Sequence, residues 1–210
     1  AGGLAKGRDL KGGKNNVIAV IGDGSLSGGE ALEGLDWASE LRSNFIIVVN
    51  DNQMSIAENH GGLYRNLKEL RDTDGKCQNN LFRSMGLDYM YVGKGNDIPT
   101  LIEAFRKVKG TDHPVVVHIN TVKGKGYTPA ETDKECWHWS APFDIATGEL
   151  KNAGSAETYD ELTATHILQL MKEDKEVCAI TAGTPGVWAW TPERRKAAGK
   201  QFIDVGIAEE

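Results

Sequence analysis

Short apolar runs alternate along this chain with segments of helical periodicity. The runs are "VIAVI" (17–21), "FIIVV" (45–49), "LDYMYVG" (87–93) and "PVVVHI" (114–119). A continuous apolar run of this length suits a parallel strand buried on both faces. After the first run, Ser27-Gly28-Gly29-Glu30 fits the S-x-x-E capping box, and Leu32, Leu35, Ala38 and Leu41 follow at helical spacing. Residues 97–110 predict another helix, with Asp97 as its cap and Pro99 in its first turn. Its apolar face is expected to be Ile98, Leu101, Ile102, Phe105 and Val108. This alternation predicts an α/β fold, an open parallel sheet with crossover helices on both faces.

The texture changes after the fourth run. Residues 141–157 are rich in turn formers and lack periodicity, so they read as a linker or domain edge. A helix (158–174) and two strands (177–181 and 201–207) are expected beyond it. A second, similar α/β domain therefore begins near residue 155, giving expected domains of 1–150 and 151–210. The chain starts at Ala1 without a methionine and ends at Glu210 just past a strand, so it reads as a fragment of a longer protein.

The 210 residues, 40% of them hydrophobic, suffice for one or two cores. Twenty-four basic and 30 acidic residues give a net charge of -6, with no Lys/Arg block, which argues against nucleic-acid binding. No apolar run has bilayer length, so no membrane partner is expected. Cys77, Cys136 and Cys178 show no C-x-x-C spacing and read as reduced thiols in a cytoplasmic protein.

The chemistry concentrates at strand ends. In open parallel sheets, ligands bind beyond the carboxyl ends of the strands. Asp23, between Gly22 and Gly24, ends the first run, and Asn52 follows the second, 29 residues later. If the two strands are neighbours, both side chains reach one crevice. A carboxylate and an amide oxygen suit a hard cation such as Mg2+, which completes its octahedron with phosphate and water. Gly24-Ser25 and the helix start near Ser27 supply N–H donors for that phosphate. By itself Gly-Asp-Gly also suits an ordinary turn. Two familiar phosphate loops are excluded: Ser27 stands where G-x-G-x-x-G needs glycine, and Gly29 is followed by Glu30 and Ala31 rather than G-K-[ST].

"GDG" followed by "NDN" resembles the signature of thiamine diphosphate enzymes. "VIAVIGDGSLSGGEALEGL", "NDNQMSIAEN", "KGKGYTPAE", "FDIATGEL" and "FIDVGIAEE" together resemble the 1-deoxy-D-xylulose-5-phosphate synthases, a transketolase-like family, over nearly all of the chain. The resemblance implies the thiamine diphosphate-binding fold, with a diphosphate domain followed by the start of a pyrimidine domain. It implies Mg2+ held by Asp23, Asn52 and the Met54 carbonyl, and the diphosphate held by Gly24 and Ser25. Tyr127 would pack near the cofactor, Lys123 and His138 would face the substrate, and Glu209 would bond the aminopyrimidine ring.

The reaction implied condenses pyruvate with glyceraldehyde 3-phosphate, with loss of carbon dioxide, in a transferase that is a homodimer at full length. The 210-residue fragment is expected to be inactive alone. Residues 180–200, the tryptophan-rich "WHWSAPFD" and the final Glu209-Glu210 depart from the family's usual segments. Two other readings stay open: another transketolase-like ketol or acyl transferase, and a non-catalytic module binding a divalent ion or nucleotide.

Overall fold

The computed structural model describes residues 1–151 and 157–208. They group into two compact units, Ala1–Gln53 with Gly61–Val122, and Met54–His60 with Lys123–Ala208.

The first unit runs α1 (Gly2–Leu10), β1 (Ile18–Gly22), a 3-10 turn (Gly24–Ser27), α2 (Gly29–Ala38), β2 (Phe45–Asp51), α3 (Gly62–Asp72), α4 (Leu81–Ser84), β3 (Asp88–Val92), α5 (Ile98–Val108) and β4 (Pro114–Asn120). The four strands form one parallel sheet in the order β1-β2-β4-β3. Alternate residues of β2 and β4 feed two cores. Ile47, Val49 and Val116 join Leu26, Leu35, Leu67, Leu70 and Phe82 on one side. Ile46, Val48, Val115 and Val117 join Ala104 and Val108 of α5 on the other. Helices thus cover both faces, as the continuous apolar runs of β2 and β4 require. Each fully buried leucine or phenylalanine contributes about 1.5–3 kcal/mol.

Three local expectations are corrected. β1 is an edge strand rather than a strand buried on both faces: Ile18 and Val20 are 52% and 73% exposed, while Ala19 and Ile21 pack on the first core. Its register puts Ile18 and Val20 opposite Ile46 and Val48, on the side where α5 covers the inner strands. The capping box does not form. Gly28 caps α2 without a side-chain bond, and the Ser27 hydroxyl instead lies 3.3 Å from the Gly24 carbonyl. In α5, Asp97 does cap, its carboxylate accepting from Thr100 N at 2.9 Å. The packed stripe, however, is Leu101, Ala104, Phe105 and Val108, with Ile98 and Ile102 exposed on its flank. One helix meets a sheet along a single i, i+3, i+4, i+7 stripe, and small Ala104 belongs to it.

The second unit contains α6 (Thr128–Thr132), a 3-10 turn (Cys136–His138), α7 (Tyr159–Glu173), β5 (Ala179–Thr181), a 3-10 turn (Pro185–Trp188), α8 (Pro192–Ala198), a 3-10 turn (Gly199–Gln201) and β6 (Phe202–Asp204). β5 and β6 pair in parallel. Their core joins Ala164 and Met171 of α7 to Trp190 and Ala198. Cys77, Cys136 and Cys178 are thiols without disulfides. No described helix is long and apolar enough to cross a membrane.

Candidate functional site

In the first unit the parallel register gathers a polar group at the carboxyl ends of the strands. Val49 pairs with His118, and His118 with Tyr91. The two-residue repeat of a strand then puts Asp51 and Tyr89 on the His118 side. Asp23 follows β1 directly and donates its backbone N–H to the Asn50 carbonyl at 3.1 Å. The strand ends bearing Asp23 and Asn52 are therefore neighbours, as the sequence reading required. Asp23, Asp51 and His118 are almost wholly buried, at 1%, 0% and 0% exposure.

Asp51 is the hub of this group. Its Oδ2 accepts from His118 Nε2 at 2.9 Å and from Arg71 Nη1 of α3. Its Oδ1 accepts the Gln53 N–H at 3.1 Å. Burial works against a charge on Asp51, but the bonds from His118 and Arg71 outweigh it and hold its carboxyl below the ordinary range. Asp23 goes the other way. Burial first, then the charge of Asp51 and a hydrogen bond between the two carboxyls, push it up to about 7, against smaller contributions from the Gln53 and Gly24 N–H groups. A negative charge on Asp23 is thus disfavoured as the residues stand. A bound cation would reverse this, and the donor set of carboxylate and nearby amide suits a hard ion. Among the described residues no three or more His, Cys, Asp or Glu side chains are arranged as a metal cluster. A zinc-type centre would need such a set, whereas Mg2+ takes one or two carboxylates with phosphate and water.

The loops beside Asp23 are braced. Gln53 has φ +70, a left-handed conformation uncommon without glycine, and its N–H bond to Asp51 holds the turn that carries half-buried Asn52. Gly24 is buried and Ser25 exposed. Tyr64 of α3 braces their turn, its hydroxyl 2.8 Å from Ser27 Oγ and 3.2 Å from the Gly24 carbonyl.

In the second unit Lys123 and His138 come together. Lys123 Nζ donates to the Ser55 carbonyl and lies 3.1 Å from His138 Nδ1. Partial burial, then the Lys123 charge, lower the His138 pKa below its ordinary value, against a bond to Ser55. Lys123→Met is therefore expected to raise the His138 titration midpoint, read from its ring proton shifts by NMR. An unmoved or lower midpoint would contradict the pairing.

Tyr127 meets Trp137 edge-on at 5.1 Å and donates to the Ile145 carbonyl at 3.1 Å. Met54 forms an isolated bridge with Glu58. Glu209 lies outside the described residues. Between Lys123 and Tyr127 the chain turns on Gly124, at φ +78, where a Cβ would lie 2.6 Å from Ala130 Cβ. Gly124→Ala is expected to cost about 1–3 kcal/mol. A lowered thermal midpoint would be the sign, and an unchanged one would speak against the close approach.

Sequence reasoning missed Asp51, His118, Arg71, Tyr89 and Tyr64. Two signals were present: a histidine inside the aliphatic run 114–119, and the aspartate between Asn50 and Asn52. Arg71, Tyr89 and Tyr64 carry no such local mark, because tertiary packing brings them in.

A family model described as 1-deoxy-D-xylulose-5-phosphate synthase matches residues 1–79 and 72–121. Similar curated proteins include 1-deoxy-D-xylulose-5-phosphate synthase 1 of Geobacter sulfurreducens, 38% identical over 99% of this chain and 38% of the relative. The synthase of Listeria monocytogenes is 37% identical over 100% of this chain and 36% of its own length. That of Desulforudis audaxviator is 35% identical over 99% and 38%. The chain thus spans less than two-fifths of the length of these relatives.

Proposed function

Because the chain belongs to the 1-deoxy-D-xylulose-5-phosphate synthase family, we propose that it serves the condensation of pyruvate with glyceraldehyde 3-phosphate. Carbon dioxide is lost, and 1-deoxy-D-xylulose 5-phosphate, a precursor of isoprenoids and thiamine, is formed. Thiamine diphosphate and Mg2+ are the cofactors, and the protein works as a cytoplasmic homodimer. Residues 1–150 serve the diphosphate and metal, and residues 151–210 begin the pyrimidine domain.

The observation that carries this reading is Asp23. It is a carboxylate buried at the carboxyl end of a parallel strand, beside a second carboxylate already bonded by Arg71 and His118. In this reading Asp23 and Asn52 hold Mg2+ with the Met54 carbonyl, and Gly24 and Ser25 hold the diphosphate. Tyr127 packs beside the cofactor, and Glu209 hydrogen-bonds its aminopyrimidine. Thiamine diphosphate, when bound, supplies a carbon that accepts the electron pair released as pyruvate loses carbon dioxide. Lys123 stabilises developing negative charge. His138, whose charged form partial burial and Lys123 disfavour, takes up or returns a proton at its ring nitrogen.

The test is carbon dioxide release from carboxyl-labelled pyruvate by the full-length protein. It is expected to require Mg2+, thiamine diphosphate and glyceraldehyde 3-phosphate together. Turnover of ketose phosphates without decarboxylation would shift the assignment to another transketolase-like transferase. No Mg2+-dependent binding of thiamine diphosphate would overturn the reading.

A further inference from the structure

We propose that His118 is a positioning residue for the metal end of the site, acting through Asp51 on the loop that carries Asn52 and on the carboxylate of Asp23. The inference rests on the reading of Asp23 and Asn52 as Mg2+ ligands and adds the residues that hold them in place.

His118 lies in β4. It follows Val115, Val116 and Val117 in an inner strand and has no exposed surface. A buried imidazole is costly unless both ring nitrogens find partners. Both do: Tyr89 Oη lies 2.7 Å from Nδ1, and Asp51 Oδ2 lies 2.9 Å from Nε2. An ionised carboxylate only accepts, so Nε2 carries the hydrogen, and in the neutral ring Nδ1 accepts from the Tyr89 hydroxyl. The bonds run in one direction, from Tyr89 to His118 to Asp51. Aromatic neighbours fix the ring plane, with Tyr91 edge-on at 5.2 Å and Phe82 tilted at 6.4 Å. Phe82 in turn stacks on Tyr89 at 5.6 Å.

The chain of bonds ends at the proposed ligands. With Oδ2 taken by His118 and Arg71, the Asp51 carboxylate has one orientation. That orientation aims Oδ1 at the Gln53 N–H, and this bond supports the left-handed turn just after Asn52. The same carboxylate meets Asp23. One side chain therefore sets the loop of one ligand and the neighbour of the other, and His118 sets that side chain. A histidine serving only to fill the core would need no such directed path. Partners of this kind behind metal ligands typically change metal affinity 10–100-fold when removed.

The test uses the full-length protein and Mn2+ as the probe, with thiamine diphosphate present and the unbound ion counted by electron paramagnetic resonance. His118→Phe is expected to weaken Mn2+ binding by roughly 10–100-fold. His118→Gln, whose amide can donate near the Nε2 position, is expected to recover most of that loss. Tyr89→Phe, which removes only the far hydroxyl, is expected to weaken binding by about three-fold or more.

A lowered thermal midpoint with an unchanged Mn2+ Kd in His118→Phe would mean that His118 is core filling, and would overturn the proposal. Should His118→Phe fail to fold, Tyr89→Phe decides in the same way: weaker binding supports the relay and an unchanged Kd overturns it. Wild-type protein that binds no Mn2+ even with thiamine diphosphate would overturn the metal assignment itself, and the relay with it. Failure of the relay alone appears only against normal wild-type binding.

Discussion

In the full-length protein, Asp23→Ala is expected to weaken Mg2+-dependent thiamine diphosphate binding by at least about a hundred-fold, and to abolish turnover with it. Removing a partner behind a metal ligand costs 10–100-fold, so losing a ligand should cost at least as much. Isothermal titration with and without Mg2+ reads the effect, and near-normal affinity would refute the role of Asp23.

A companion variant separates metal loss from misfolding. The folded pKa of Asp23, about 7, stands above its ordinary value of 3.8. The folded metal-free protein therefore holds this proton more tightly than the unfolded chain does. The stability so gained is complete below about pH 4 and is lost as pH rises through about 7. Asp23→Asn keeps the shape without the charge. It should raise the thermal midpoint of the metal-free protein at pH 8, and raise it less at pH 5, while still binding metal poorly. A lower midpoint at pH 8 would contradict the uncompensated charge.

Asp51→Ala is expected to be the most destabilising single change in the first unit. It leaves Arg71 and His118, side chains 14% and 0% exposed, without their shared acceptor. Breaking a buried charge pair costs about 3–5 kcal/mol. For a chain of this size that corresponds to a fall in thermal midpoint of roughly 6–20 °C. Circular dichroism melting, with hydrogen exchange at β2 and β4, would locate the loss. A midpoint within about 2 °C of wild type would mean that the Asp51 contacts contribute little. Asp51→Asn keeps one acceptor oxygen and should fall between the two.

The metal reading was legible in part because two of its residues sit where local sequence marks them. Asp23 and Asn52 each follow an apolar run, and their 29-residue spacing, about one β-α-β unit, left a shared crevice conditional on the two strands being neighbours. The β1–β2 register makes them neighbours. The α5 cap at Asp97 was legible for the same reason, since its bond reaches only three residues along the chain. The α2 capping box failed although its pattern was complete, because Ser27 ends the preceding 3-10 turn and Gly28 takes the cap position. The exposed face of β1 was also illegible, since an apolar run does not say whether its strand lies at an edge or inside a sheet.

By itself the sequence determined the alternation of strands and helices, the parallel sheet and the places of Asp23 and Asn52 just past successive strands. All of these follow from periodicity and from spacing along one β-α-β unit, which are local properties of the chain. Tertiary structure alone decided that Asp51 is the hub, with Arg71, His118 and Tyr89 drawn to it from α3, β4 and β3. Their meeting depends on strand order and register across the sheet. Those are fixed by which apolar faces bury together, so residues 20 to 67 positions from Asp51 come within hydrogen-bond reach of one another.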